Sequence, residues 1–206
     1  MSKPILRVIE SNDVDAEVEA VINELRKSYQ TEEEVEFFSE TVVVKKVKKG
    51  TILLREGQSV KASFFVCKGC VREYYLKDGE DRTVAFYTEG ESIRDDEKKA
   101  TRSASSVTWE CVTDCIVTEF QFEDELEMFR RFPRIEAICR IETEKEFARY
   151  KDAMVQFLAS SPEERYLHLL NTKPHLFQLV PLYQIASYLG VKPESLSRIR
   201  NRLRAS

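Results

Sequence analysis

Polar and charged side chains that can read DNA recur at helical spacing near the end of this 206-residue chain. At 100° per residue, Glu194, Arg198 and Asn201 share one helix face, and Ser197 and Arg202 flank it. Arginine can donate two hydrogen bonds to guanine, and glutamate can accept one from the amino group of cytosine. The pattern therefore predicts a helix whose outward face contacts base edges in a DNA groove.

Two short helices joined by a tight turn must position this face. Gly190 stands where the first helix ends with a positive φ, and Pro193 can open the second because its missing N–H has no partner to lose there. The joint spacing of the inward-facing apolar residues predicts a helix-turn-helix. The alternative, an ordinary helical hairpin with a solvated charged face, explains fewer of these positions. The inward-facing residues are Ile185, Ala186, Leu189, Val191, Leu196, Ile199 and Leu203.

The other predicted DNA contacts surround the two base-reading residues, Glu194 and Arg198. Ser195 and Ser197 lie beside them on the second helix. Phosphate contacts are assigned to Lys192, Asn201 and Arg202, with a further contact from Gln184 at a helix N-terminus.

Charge is divided unevenly along the chain, whose formal net charge is −4. Residues 160–206 contain seven Lys and Arg against three acids, a balance of +4, so the preceding residues carry −8. A basic end on an acidic body predicts that attraction to DNA is confined to one module. No run approaches the ~18 apolar residues that span a membrane, and the first residues lack the apolar core of a secretion signal. We therefore expect a cytoplasmic protein without membrane contact.

Five cysteines, an odd number, argue against a secreted disulfide framework. Cys67 with Cys70 and Cys111 with Cys115 form two closely spaced pairs that could supply four thiolates to zinc or an iron–sulfur cluster. All four lie in strand-like runs, where a free cysteine acts as a small buried hydrophobe, and we favour that interpretation. The sequence leaves a redox or metal role for these four open, and no metal or other cofactor is predicted.

A change of hydrophobic period separates the centre of the chain from its helical ends. Between Thr41 and Phe122 apolar residues recur with a period of two and glycine-containing turns punctuate them, which predicts an antiparallel roll or sandwich. No phosphate-binding glycine loop of the dinucleotide or P-loop type is present. The predicted strands are Val42–Val44, Thr51–Leu54, Phe64–Cys67, Val71–Leu76, Thr83–Tyr87, Val107–Trp109 and Cys115–Phe120.

Capping signals place helices on both sides of these strands. Asn12 is expected to cap a first helix, and Thr31 with Glu34 forms the capping box of a second. Ser161 with Glu164 forms another capping box, and its helix should stop before Pro174. The first helix should carry Val14, Val18, Val21, Ile22 and Leu25 on one face, and Leu176–Val180 is predicted to be a short wing strand.

A long helix from Pro133 to Leu158 carries two apolar stripes. A helix that is apolar on two sides usually packs on its own domain and on a partner at once, which predicts a homodimer. A single intramolecular contact is the alternative, but one recognition helix reads too few base pairs to specify a site. The stripes are Phe147, Tyr150, Met154 and Phe157, and Ile138, Ile141, Ala148 and Val155.

The order of a glycine-punctuated β-roll, a long helix and a helix-turn-helix resembles the Crp/Fnr family of bacterial transcription regulators. The most specific parts are Gly50–Gly57, Phe65–Tyr75 and Pro181–Leu203. The resemblance implies a Glu and an Arg four apart that contact bases, matching Glu194 and Arg198. Pro193 replaces the usual polar residue before that Glu, which removes one base or phosphate contact.

The resemblance also implies an α+β fold with three parts. Residues 1–132 would form a cyclic-nucleotide-binding-like sensor domain, 133–158 a dimerisation helix, and 159–206 a winged helix-turn-helix domain. It further implies contact with RNA polymerase.

The sensor segment departs from the family pattern. The family's cyclic-nucleotide pocket uses a Gly-Glu pair and then an Arg-Ser-Ala that grips the phosphate. Arg102-Ser103-Ala104 is present, but Arg94 and Asp95 stand in place of the Gly-Glu pair, and Asp95-Asp96-Glu97 would repel an anion. We expect a degenerate or altered effector pocket in which a cyclic nucleotide is disfavoured. Its candidate residues are Gly90, Glu91, Arg94, Asp95, Arg102 and Ser103.

The sequence thus predicts a sequence-specific, homodimeric, DNA-binding transcription regulator. The alternative is a small-molecule sensor of the cyclic-nucleotide type whose C-terminal domain binds a protein partner. An enzyme is disfavoured, because His168 and His175 have no nucleophile that could pair with them.

Overall fold

The computed structural model describes the backbone of residues 7–8 and 16–205 and the side chains of residues 16–204. These residues form two compact units, each with its own packing. The first unit comprises the described residues up to Glu73 together with Phe86–Glu136, and the second comprises Tyr74–Ala85 together with residues 137–205. The predicted first cap, Asn12, and Val14 lie outside the described residues.

The described part of the chain contains strands and helices in alternating blocks. The strands are β1 (Arg7–Val8), β2 (Val42–Val47), β3 (Ile52–Leu54), β4 (Ala62–Lys68), β5 (Cys70–Lys77), β6 (Glu80–Thr88), β7 (Ser92–Ile93), β8 (Thr108–Cys111) and β9 (Cys115–Gln121). The helices are α1 (Ala16–Arg26), α2 (Glu32–Thr41), α3 (Asp96–Thr101), α4 (Phe122–Arg131), α5 (Pro133–Ala159), α6 (Pro162–Thr172), α7 (Leu176–Leu179), α8 (Leu182–Tyr188) and α9 (Pro193–Ala205).

The strands form two sheets, as the period of two predicts. One sheet has the order β1-β2-β9-β4-β7 and the other the order β3-β8-β5-β6. The β2–β9 and β4–β9 pairs that build the centre of the first sheet are antiparallel, whereas β1 pairs with β2 in parallel. All seven predicted strands are confirmed, and the structure adds the two-residue strands β1 and β7. The predicted α+β fold is therefore confirmed.

Aromatic side chains dominate the core between the first sheet and its helices. The ring of Phe37 lies 5.5 Å from that of Phe38 and 5.4 Å from that of Phe132, both in edge-to-face geometry. Thr31 caps α2, because its side chain accepts a hydrogen bond from the Glu34 N–H. The second half of the predicted capping box differs, since the Glu34 carboxylate accepts from the Gln30 N–H at 2.6 Å and not from the Thr31 N–H. The buried residues of this core are Val18, Ile22, Phe37, Phe38, Val42, Val44, Ile116, Met128 and Phe132.

Helix α4 was not predicted from the sequence, although its charges are those of a helix. Acidic residues fill its first turn and Arg130 and Arg131 its last, which is the arrangement that complements the helix dipole. Glu125 and Met128 are its buried residues. Phe122, Leu126 and Phe129 recur at the four- and three-residue spacing of an amphipathic helix, so the sequence did contain a signal for α4.

The capping box before α6 is confirmed in both directions. The Ser161 side chain accepts a hydrogen bond from the Glu164 N–H, and the Glu164 carboxylate accepts one from the Ser161 N–H. Pro162 occupies the first helical position, and α6 ends at Thr172, before Pro174, as predicted. The long helix α5 also matches its predicted extent.

The predicted wing strand is wrong, because Leu176–Leu179 forms the short helix α7. The Val180 N–H donates to the Leu176 carbonyl at 2.9 Å, which is an i to i−4 bond. Leu176 and Val180 are buried and Gln178 is exposed, so the buried positions are four apart and not two apart. A five-residue apolar run cannot distinguish a buried strand from a buried helical turn by its period.

Within the part of the chain that the structure describes, no helix is long and apolar enough to cross a membrane.

Candidate nucleic-acid interface

The helix-turn-helix rests on a small apolar core within the second unit. Ile185 and Ala186 on α8 are fully buried, and Leu196 and Ile199 on the neighbouring α9 are buried as well. Gly190 has φ +69° and ends α8, while the Val191 N–H donates to the Ala186 carbonyl at 3.0 Å. This bond closes the helix end in the manner of a Schellman motif, which requires the left-handed residue that glycine supplies.

Burial of this apolar side leaves the polar side of α9 facing outward. Both predicted base-reading residues, Glu194 and Arg198, are exposed. The structure therefore brings seven of the eight predicted DNA-binding residues to one exposed region. These seven are Lys192, Glu194, Ser195, Ser197, Arg198, Asn201 and Arg202.

Gln184 is the exception among the predicted contacts. Its side chain is only 5% exposed, and its Nε2 donates to the Tyr183 hydroxyl at 3.3 Å. Gln184 occupies the inner side of α8, and the exposed positions at this helix end are Leu182 and Tyr183. The sequence assigned Gln184 from its place near a helix N-terminus, which does not determine the side it faces. Tyr183 is the exposed polar side chain that this reasoning missed.

An open cleft of about 560 Å³ runs alongside α9 in the second unit. The start of α6 forms one wall, and the turn before α9 and α9 itself form the other. Lys192, Arg198 and Arg202 bring three positive charges to this cleft, and Glu163 brings a negative one. Such a basic groove suits a phosphate backbone.

In the first unit, the charged residues of the segment around α3 form ion pairs with one another and with α4. The Arg94 guanidinium donates to Asp96 at 2.9 Å and to Glu125 at 3.0 Å, and Lys99 forms an ion pair with the same Glu125. Glu125 is buried on α4, so these contacts join helices α3 and α4. Arg94 is thus engaged by carboxylates of its own chain.

The other effector candidates also serve local structure. Asp95 caps α3 by accepting from the Lys98 N–H at 3.0 Å, and Arg102 ends this helix with φ +52°. Glu91 accepts a 2.6 Å hydrogen bond from the Thr88 N–H. Gly90 has φ +86°, and the Ser103 hydroxyl lies 2.7 Å from that of Thr101.

The half-buried carboxylate of Glu73 in the roll was not among the residues that the sequence singled out. Glu73 Oε2 accepts hydrogen bonds from the Trp109 indole at 2.8 Å and from the Tyr87 hydroxyl at 3.0 Å. Burial raises the pKa of Glu73 above its ordinary value, although the two donors oppose this shift. No motif in the sequence marks this group, because Glu73 and its two partners come from three separate strands.

The paired cysteines lie in the roll as small apolar side chains. Cys70, Cys111 and Cys115 are buried and Cys67 is half-buried, and all four are free thiols. Burial raises the pKa of the Cys67 thiol to about 11. Among residues 7–8 and 16–205, no group of three or more His, Cys, Asp or Glu is arranged to hold a metal ion.

Comparison with known proteins agrees with this architecture. Residues 44–132 match the family model described as the cyclic nucleotide-binding domain. The fold that the resemblance to Crp/Fnr regulators implies is confirmed. No curated protein sequence matches the chain.

Solved structures of regulators share the fold over most of their length. CLP from Xanthomonas campestris, described as a c-di-GMP-responsive global regulator, is 18% identical, with 85% of this chain and 92% of that chain covered and a TM-score of 0.65. FixK2 from Bradyrhizobium japonicum is also 18% identical, with 80% and 85% covered and a TM-score of 0.64. A Silicibacter pomeroyi protein classed as a candidate cAMP-binding regulatory protein is 26% identical, with 85% and 81% covered and a TM-score of 0.56.

Proposed function

We propose that this Crp/Fnr-like chain is a sequence-specific DNA-binding transcription regulator that acts as a homodimer. The observation that carries the proposal is the division of α9 into two sides. Leu196 and Ile199 anchor the helix, while Glu194 and Arg198 stand exposed four residues apart. A helix held this way can enter a major groove and present both side chains to base edges.

Each exposed residue has a role that its chemistry supports. Arg198 donates to guanine and Glu194 accepts from cytosine, with Ser195 and Ser197 beside them. Phosphates bind Lys192, Asn201 and Arg202, which fix the register without reading sequence. Gln184 is left out of this set because it is buried. RNA polymerase would be a further partner, by the resemblance to the family.

The exposed stripes of α5 support a dimer. None of the residues Pro133–Ala159 is buried, and Phe147 and Met154 are 73% and 67% exposed. A helix with large apolar residues left in water gains free energy by packing on a second copy of itself. Two-fold symmetry would then present two recognition helices to two half-sites of one operator.

We propose further that the effector pocket is altered and needs no cyclic nucleotide for DNA binding. Arg94 forms ion pairs with Asp96 and Glu125, and a nucleotide phosphate would have to compete with both. The segment Asp95-Asp96-Glu97 adds negative charge beside it. No cofactor is proposed. The described c-di-GMP response of CLP makes that dinucleotide a useful ligand to test alongside cAMP.

Selection from a random duplex pool tests the proposal. The purified full chain without added ligand should enrich an inverted repeat whose half-site centres lie about 34–36 Å apart at physiological salt. Sedimentation should show a dimer, and cAMP or c-di-GMP should leave the selected sequence unchanged. The proposal fails if nothing is enriched with or without cyclic nucleotides and duplex affinity is indifferent to salt. That result would favour the alternative, in which the C-terminal domain binds a protein.

A further inference from the structure

The cleft beside α9 contains one acidic side chain among its basic ones. Glu163 lies in the first turn of α6, and its Oε2 accepts a hydrogen bond from the Arg202 guanidinium on α9. The two residues are 39 positions apart in sequence, so only the packing of α6 beside α9 brings them together. Both remain accessible, with the Glu163 side chain 33% and the Arg202 side chain 63% exposed.

We propose that Glu163 competes with the DNA backbone for Arg202 and so lowers the affinity of the chain for every duplex. The inference rests on the proposed function, since it concerns the same surface. The carboxylate is an anion with planar oxygens, which is what a guanidinium also recognises in a phosphate. Glu163 therefore holds Arg202 in the absence of DNA and must release it when a phosphate arrives.

Electrostatics determine the direction of this effect. An exposed ion pair gains little in water, so Arg202 can leave Glu163 at small cost. After exchange, however, the Glu163 carboxylate stays in a groove that also holds Lys192 and Arg198, where it repels phosphates and reduces the release of counterions. Both effects weaken binding, and neither depends on the base sequence.

Glutamine can replace Glu163 without disturbing the fold. The capping box of α6 uses Ser161 and Glu164, not Glu163. Replacement by glutamine removes one favourable charge from the first turn but keeps the shape and the polar amide. The substitution Glu163→Gln therefore separates the charge from the fold. Glu24→Gln on α1 is a matched control, because Glu24 also forms an exposed ion pair, with Lys27.

The test measures affinity for the selected duplex and for a random duplex across a salt series. Glu163→Gln should tighten both by about threefold to fivefold and steepen the slope of log affinity against log salt by at most about 0.9, the value of one more neutralised phosphate charge. Glu24→Gln should change neither. In the Arg202→Gln background, Glu163→Gln should bring a clearly smaller gain in affinity, since only the repulsion between the carboxylate and the phosphates is then removed.

Three results would overturn the inference. The first is that Glu163→Gln binds duplex no more tightly than the wild type. The second is that Glu24→Gln gains as much duplex affinity as Glu163→Gln. The third is that Glu163→Gln gives its full gain in affinity in the Arg202→Gln background. Circular dichroism and denaturant unfolding of each variant confirm that affinity is measured on folded protein. If the wild-type chain shows no salt-dependent affinity for duplex DNA, both the proposed function and this inference are contradicted. If the wild type binds DNA and Glu163→Gln binds with the same affinity, only the inference is contradicted.

Discussion

Helix α9 and the segment around helix α3 are both rich in charged residues, but these residues are paired in different ways. On α9, Arg198 and Glu194 project from a helix that is anchored by its apolar side. Around α3, Arg94 and Lys99 form ion pairs with Glu125 of the same unit. A surface that binds a partner keeps its charges available, while a segment that stabilises the fold satisfies them internally. Arg202 lies between these cases, since Glu163 holds it at a surface that DNA would reach.

The largest effect is expected from replacing a fully buried isoleucine, and each unit contains one that can be tested. Ile185→Ala beneath the helix-turn-helix and Ile93→Ala in the roll should each lower the free energy of unfolding by about 2–5 kcal/mol, because both side chains are fully buried. Only Ile185→Ala should also abolish duplex binding under conditions where most of the chain is folded. Urea unfolding and fluorescence anisotropy with labelled DNA measure the two quantities. Comparable loss of binding in folded Ile93→Ala would remove the distinction between the units.

An effect of intermediate size is expected from replacing Arg198 on α9 or Arg94 beside α3. Arg198→Ala should cost about 1–3 kcal/mol of affinity for the selected duplex and little for a random one, because it removes a base contact. Arg94→Ala should leave duplex affinity unchanged and lower stability instead, because Glu125 is buried and loses one of its two cations. Titrations on both duplexes distinguish these outcomes. Equal losses on selected and random DNA from Arg198→Ala would refute its assignment as a base reader.

The smallest effect concerns the pH dependence of the roll. Because burial raises the pKa of Glu73 in the native state, that state binds this proton more tightly than the unfolded chain does. This group's contribution to stability should therefore fall as pH rises from about 4.5 through the raised native pKa, and level off above it. Glu73→Gln keeps an acceptor for Trp109 and removes this slope. Free energies of unfolding from pH 4 to 7 measure it.

A second variant sharpens this last prediction. Tyr87→Phe removes one donor that stabilises the Glu73 carboxylate, so the pKa should rise further and the sloping interval should extend to higher pH. An identical pH profile in all three proteins would show that Glu73 does not titrate differently in the native state.

Local patterns predicted most of the elements that position the candidate interface. The Ser161 capping box, the glycine turn at Gly190 and the start of α9 at Pro193 were all found where their residues indicated. Each depends on hydrogen bonds and dihedral angles within a few residues, so a short stretch of sequence contains all the required information. The strand predicted for the apolar run Leu176–Val180 was wrong, because a run of that length fits the period of a strand and of a helical turn equally well.

Side-chain orientation near helix ends was the weaker part of the prediction. Gln184 was assigned to DNA although it is buried, because a helix N-terminus specifies available N–H groups and not the direction of a neighbouring side chain. The ion pair between Arg94 and Glu125 spans 31 residues, and the pair between Glu163 and Arg202 spans 39. Neither spacing has a signature in the sequence.

By itself, the sequence determined the order of most elements, the two sides of α9 and the departure from the family's Gly-Glu pair, because these follow from residue types and periods along a continuous chain. Only the tertiary structure decided which charges are available. Arg94 is engaged by a buried glutamate of α4, Arg202 by a glutamate of α6, and Arg198 faces outward. The physical reason is that a charge takes its partner from whichever element packs beside it, and that packing depends on contacts between segments far apart in the chain.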